Sequence, residues 1–441
     1  LPIKSICQIS QNELCLGTDG KGAKIFNIPK QLITDYPFDN NYLDSGTSKV
    51  HSVLKDNAGN LWIAIYQKGV MMIPAQPNSF KYIGYKSINK NIIGSNCITS
   101  LCRDHEGILW IGTDNDGIYG ITTELKQRVH YAPHDSPFSV PSTVFGLYED
   151  SERNLWFGSY TNGLGRLDKK TGQCSYLQNL TDKHGNRIQR VYDLVEDQDK
   201  RLWIATMGAG LFYYDLKTGQ SVYDPKFNAA TEKYKWISCL LYAGDNHLYV
   251  GTYDGIRCID LSTDDFKTEE ILSRHIIHSL YEDPQGNIWI GSSDGLAEWN
   301  PQTRQLKTYT TAHGLSSNAV YAIKGDGQDN LWISTNAGMS RFNLNTHTFS
   351  NFYADDGLQG NEFSKNASFA DHNGILWFGG TNGITYFNPQ EITNPAKKWN
   401  VRIIDFYLHD QPIRKGMLSG GKEIINTSVF EARDFHLSHN D

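Results

Sequence analysis

The sequence predicts an all-β chain, a β-propeller of four-stranded blades, and three observations carry that prediction. A unit built on an apolar pair around a Trp recurs nine times, with Cys15, Trp62, Trp110, Trp156, Trp203, Tyr249, Trp289, Trp332 and Trp377 in the central slot, 40 to 48 residues apart. A period of that size with several strands per unit is what propeller blades produce. An Asp-first turn precedes most slots, and a Gly follows each after a short polar stretch, while no long segment holds a helical apolar period.

The unit at residues 98–131 serves to read the elements in order. Ile98-Thr99-Ser100-Leu101 reads as an inner strand of small and apolar residues, and Asp104-His105-Glu106-Gly107 as a turn with Asp first and Gly last. Ile108 to Thr113 is a second strand carrying the Trp. Asp114-Asn115-Asp116-Gly117 turns the chain into a third strand, Ile118 to Ile121, and Arg128 to Tyr131 is a fourth. The same order returns at Val144 with Asp150, Val191 with Asp197, Ile277 with Asp283 and Val320 with Asp326.

The slot Trp is large and flat enough to fill the wedge between sheets that fan out from an axis. The later Gly (22, 69, 117, 163, 210, 255, 295, 338 and 383) is placed for a positive φ or a close backbone approach. It follows the slot by seven residues in the first five copies and by six in the last four. The loops on that face are therefore expected to be longer in the earlier blades.

At 441 residues the chain exceeds one ordinary domain, which repeat folds may do. A seven-bladed ring needs roughly 310 residues at this period, so two units are left over. The boundaries read as 1–84 for two trailing blades of a preceding propeller, 85–390 for the seven-bladed ring, and 391–441 for the start of a β-sandwich. Net charge is −7, without a basic run, so nucleic acid is not an expected partner. Seven Cys without a CxxC pair read as packed thiols, and neither a metal nor another cofactor is expected. No apolar stretch is long enough to span a bilayer, and no signal peptide is recognisable at Leu1.

These residues resemble the two-component regulator propeller repeat, the sensor region of hybrid two-component systems in glycan-degrading gut bacteria. All nine units fit its pattern, Asn154-Leu155-Trp156-Phe157-Gly158 and Asn287-Ile288-Trp289-Ile290-Gly291 most fully. The stretch Trp62 to Val70 looks like a closing blade of such a sensor's first propeller. Gly357 to Phe363, Gly379 to Gly383 and Phe387-Asn388-Pro389 look like the last blade of its second. Val401 to Phe406 and Phe435 to Asp441 resemble the opening of the Tyr-rich immunoglobulin-like domain that follows. The resemblance implies a periplasmic, membrane-tethered, dimeric sensor that binds oligosaccharides and controls carbohydrate-utilisation genes, with its histidine kinase elsewhere in the intact protein. On this reading the chain itself is not an enzyme.

Sugars are held by an aromatic face and planar polar groups in a concave place. The turns between second and third strands would gather at one mouth with the fourth-to-first connections. The turns supply Tyr66, Asp114, Asn115, Tyr160, Asn162, Tyr253, Asp254 and Asn336, and the connections supply Arg190, Lys235 and Trp236. Arg190, Lys235 and His184 could suit an acidic glycan, although basic residues in loops are ordinary surface. A propeller glycosidase or lyase is the second reading. The repeated Asp residues fit it poorly, because they recur at one turn position where the side chain bonds the turn backbone. A protein-binding disc is the third reading.

Overall fold

The computed structural model describes residues 2–36, 47–75, 79–84, 92–94, 97–122, 125–182, 184–223, 234–262, 266–392, 404–432 and 434–439. Two compact units result, Leu1–Ile392 and Thr393–Asp441. In the first, seven four-stranded antiparallel sheets form the ring; blades 1 to 6 run in order over 97–131, 144–176, 191–222, 237–273, 277–309 and 320–352. Blade 7 joins Phe363–Ala370, Leu376–Gly380 and Gly383–Phe387 to Lys81–Ile83 as its fourth strand. Each blade's inner strand packs on the next, and that of blade 7 packs on that of blade 1, so the ring closes.

The outer strand Lys81–Ile83 pairs as Ile384 with Ile83 and Tyr386 with Lys81, and the Tyr82 hydroxyl donates to the Asn382 carbonyl at 2.7 Å. The ring therefore begins at Lys81, whereas the sequence reading assigned residues through 84 to the preceding propeller. Across the same seam Arg103 pairs with Asp371 at 3.0 Å.

The repeated residues explain why these segments become blades. In blades 1, 2, 3 and 5 the slot Trp donates its indole N–H to the turn Asp: Trp110 to Asp104, Trp156 to Asp150, Trp203 to Asp197 and Trp289 to Asp283, at 2.7–2.8 Å. The other carboxylate oxygen accepts turn backbone N–H groups, as Asp197 Oδ1 does from Asp199 and Arg201. One Asp thus fixes a turn and orients the wedge residue. Tyr249 and Cys15 occupy the slot in the other sheets and are buried as well. Trp332 and Trp377 are buried without an indole partner among the described residues.

The Gly after the Trp serves the interface between blades. A Cβ on Gly158 would lie 2.6 Å from the Val191 carbonyl of blade 3, and one on Gly379 would lie 2.6 Å from Ile98 of blade 1. On the mouth side, a Thr or Ser hydroxyl ties the turn to its later Gly in blades 1 to 6. Thr113 donates to the Gly117 carbonyl four residues on, and Thr252 to Gly255 three residues on. That one-residue difference is the shortening of the later loops that the spacing predicts.

Ahead of the ring lie two sheets, four-stranded over 3–35 and three-stranded over 50–73. They share a core of Cys15, Val50, Val53, Ile63 and Ile65. Trp62 keeps its Asp56 bond at 2.8 Å but is 39 % exposed, because no further sheet covers it among the described residues.

The second unit, by itself, holds two short hairpins, Tyr407–Leu408 with Gln411–Pro412 and Leu418–Ser419 with Lys422–Glu423. Ile413, Ile424 and Ile425 form its core. Residues 401–403 and 440–441, part of the resemblance to the sandwich, fall outside the described residues.

Candidate functional site at the mouth of the ring

Each ring sheet breaks register near the start of its inner strand. The skipped residue is Thr99, Phe145, Tyr192, Ser238, His278 and Tyr321 in blades 1 to 6, and the break widens to Ser364–Ala367 in blade 7. A bulge leaves one residue unpaired and re-aims its side chain, which is why bulges gather at barrel rims and functional sites. Repeated around a ring, it lines the axis with residues released from sheet packing. The small members bond the next blade: Ser238 donates to the Ile277 carbonyl at 2.6 Å, and Thr99 to that of Val144.

The large members contact one another. Phe145 stacks on Tyr192 at 4.9 Å and meets Tyr160 edge-on at 5.9 Å. His278 meets Tyr321 at 5.4 Å, and the Lys365 ammonium lies 5.8 Å from the Tyr321 ring.

The strand turns and blade connections join at this same end. The backbone N–H of Gly163 bonds the Gln189 carbonyl, that of Met207 bonds Arg190, and that of Tyr253 bonds Trp236. The structure brings Tyr160 and Arg190 together, with the guanidinium 4.9 Å from the ring centre. It also stacks Trp236 on Tyr253 at 6.0 Å, while the Lys235 carbonyl holds Gly208 and Gly210. Tyr160, Trp236 and Tyr253 remain 37–43 % exposed, open enough for a ring to lie on. Asn162 accepts from Arg187 through its carbonyl, and Asp254 accepts from the Arg274 N–H. Asp114 is taken up by the Thr143 hydroxyl at 2.9 Å, and Asn115 and Asn336 are exposed turn residues.

Tyr66 stands apart from this group. It lies in the turn between Leu61–Ile65 and Gly69–Ile73 of the three-stranded sheet ahead of the ring, stacked on His51 at 5.0 Å, so it is not a residue of the ring's mouth.

Sequence reasoning missed Phe145, Tyr192, His278, Tyr321 and Lys365, because inner-strand residues read as core. In blades 1 to 6 their signal is a position whose chemistry changes from blade to blade directly after a β-branched residue that stays apolar (Ile98, Val144, Val191, Ile237, Ile277 and Val320). Two charged residues lie further along the axis. Enclosure in the channel wall pushes the Asp193 carboxyl up to about 6, although it accepts from the Leu240 and Leu194 backbone. Burial lowers the Lys324 ammonium, and the Asp193 charge opposes that shift.

Burial, then the nearby Lys365 charge, brings His278 down to about 4. Its folded value lies below the 6.5 of a free imidazole, so the unfolded chain takes up the proton first. This contribution to stability is whole above pH 6.5 and is lost as the pH falls toward 4, up to ~3 kcal/mol. His278→Gln should flatten that limb of the stability–pH curve in chemical unfolding; equal slopes in both proteins would refute the assignment.

Among the described residues no group of three or more His, Cys, Asp or Glu side chains could hold a metal ion, and no helix is long and apolar enough to cross a membrane. A separate depression of about 520 Å3 lies in the second unit, lined by residues such as Lys422, Glu423, Glu431 and His436 without a Trp, Tyr or Phe.

The profile of the family described as two component regulator propeller matches residues 92–115, 187–208, 271–294 and 314–337, each running from a connection through an inner strand into the Trp strand and its turn. Four of the chain's units thus match the two-component regulator propeller repeat. It is similar over its whole length to Histidine kinase P4 of Formosa agariphila, 23 % identical over 451 residues. It is also similar to the extracellular domain of the putative hybrid two component system BT3049 from B. thetaiotaomicron, at TM-score 0.73 and 22 % identity, covering 94 % of this chain and 56 % of that one. The extracellular domain of the putative one component system BT4673 from the same organism follows, at TM-score 0.60 and 19 % identity, covering 93 % and 56 %. The chain thus spans 26 % of the kinase's length and little more than half of each extracellular domain. At these identities the structural likeness establishes the fold, which is the propeller the repeats predict.

Proposed function

We propose that this propeller region is the ligand-sensing part of a hybrid two-component regulator, and that the ring's mouth takes an oligosaccharide. The observation that carries the reading is the run of exposed aromatic faces at one end of the axis. Tyr160 with Arg190 and Trp236 with Tyr253 flank the Phe145–Tyr192 stack. Flat apolar faces beside planar donors suit the C–H face and hydroxyls of a pyranose.

The likeness to extracellular domains supports an extracytoplasmic place for this region, in the periplasm of a membrane-tethered protein. In the intact protein the sensor acts as a dimer and passes occupancy to a kinase that governs carbohydrate-utilisation genes. A ligand can do so only through different affinities for two arrangements of the assembly.

The turn carboxylates are engaged in Trp and backbone bonds, so they do not make a hydrolytic pair, and the ligand should leave unchanged. Trp236→Ala is expected to weaken oligosaccharide binding at least about tenfold by isothermal calorimetry, as loss of an aromatic platform costs above ~1 kcal/mol. Unchanged affinity in a folded variant would remove Trp236 from the site.

A further inference from the structure

The least exposed cations of the blade seams and turns are paired: Lys169 with Asp104 at 3.1 Å, Arg201 with Asp197 at 2.6 Å and Arg103 with Asp371 at 3.0 Å. The mouth and axis differ. Among the described residues, no carboxylate lies within 4.0 Å of the charged groups of Arg190, Lys324 or Lys365. Lys324 and Lys365 are half-buried, and burial lowers both ammonium groups. His278, only 5 % exposed, has an Nδ1 without a hydrogen-bond partner and faces the Lys365–Tyr321 contact.

Leaving a buried donor or cation unsatisfied is costly, and a bound anion offsets that cost through charge-assisted bonds. The chain carries 48 Asp and Glu against 41 Lys and Arg, so it has no shortage of carboxylates to pair internally. The acidic groups nearby are engaged or peripheral: His275 holds Asp294 at 2.9 Å, Thr143 holds Asp114, and Glu362 is exposed on its loop. Asp193 accepts from the Leu240 and Leu194 backbone and acts on Lys324, which leaves Lys365 and Arg190 as the cations open to an anion.

We propose that the mouth selects an acidic oligosaccharide, one whose sugars bear carboxylate or sulfate groups. Lys365 takes one such group beside His278 and Tyr321, and Arg190 takes another beside Tyr160. This rests on the reading of the mouth as an oligosaccharide site and adds the charge class of the ligand. The two seats lie on different blades, so the ligand spans the axis, with its uncharged faces on the aromatic rings.

The test is calorimetric titration of the full chain with trigalacturonate, a chondroitin sulfate tetrasaccharide, and the uncharged cellotriose, xylotriose and mannotriose. At least one acidic member should bind about tenfold or more tightly than every uncharged one, and raising salt from about 50 to about 500 mM should weaken it. The galacturonate and sulfate arms identify which anion is read. Lys365→Met keeps the buried stem, and Arg190→Gln is a second variant at an exposed position. Either should erase most of the preference while the unfolding midpoint stays put. Uncharged members binding as well as acidic ones would overturn this inference and leave the oligosaccharide reading standing. So would a charge preference that survives in both variants. Failure of all five to bind would overturn both.

Discussion

Trp203→Ala is expected to lower the unfolding free energy of the propeller unit by about 3–5 kcal/mol. Trp203 is fully buried between blades 3 and 4, against Ala205, Leu211, Ile237, Leu248 and Val250. Its loss leaves a cavity in a wedge whose walls are two hydrogen-bonded sheets, so collapse can recover little of the volume. It also removes the indole donor 2.8 Å from Asp197, a carboxylate only 5 % exposed. Arg201 still holds that carboxylate at 2.6 Å, so the charge is not orphaned and the cavity dominates the cost. Trp203→Phe separates the two contributions, since it retains a ring and loses the N–H; about 1–2 kcal/mol belongs to the bond. Urea unfolding at unchanged slope measures both, and a loss below about 1 kcal/mol for the Ala variant would refute the wedge role.

Gly158→Val is expected to destabilise by about 3 kcal/mol or more, for the opposite reason. Any side chain there starts with a Cβ 2.6 Å from the Val191 carbonyl and 2.9 Å from the Val191 side chain. The obstacle is backbone belonging to the next blade's inner strand, so relief requires the two sheets to separate. Blade 3 carries Ala205 at the equivalent place, fully buried, which shows that the spacing there is set for one methyl. Ala205→Gly should therefore cost only about 1 kcal/mol. If Gly158→Val unfolds at the same denaturant concentration as the parent, blade spacing is not what this glycine sets.

The propeller was legible because its determinants are local and repeated. An Asp, a Trp six residues later and a Gly beyond it recur with one geometry, and seven of the nine slots hold Trp itself. The turn residues of the mouth were legible for the same reason: Tyr160, Arg190, Trp236 and Tyr253 lie outside strands, and the pairing of strand ends places them. Three things were not. The strand Lys81–Ile83 completes blade 7 through pairings about three hundred residues apart in sequence, which no local period records. The indole–Asp bond was hidden because a turn Asp is explained well enough by its own backbone.

The bulged residues were hidden because strand alternation assumes an unbroken register. A single extra residue reverses which side chains face the core. Thus Phe145, Tyr192 and Tyr321 read as core from sequence and line the axis in the structure. Tyr66 errs in the other direction: it shares the turn chemistry of the mouth but belongs to a turn of a sheet outside the ring.

The most direct test of the central claim, an intact oligosaccharide bound at the ring's mouth, is thermal unfolding of the chain with and without oligosaccharide, run in parallel on Trp236→Ala, with the sugar recovered afterwards by mass spectrometry. The account predicts stabilisation of the parent by about 2.7 kcal/mol at a hundredfold excess over Kd, much less for the variant, and sugar recovered unchanged. Equal stabilisation of parent and variant, or recovery of cleaved sugar, would contradict it.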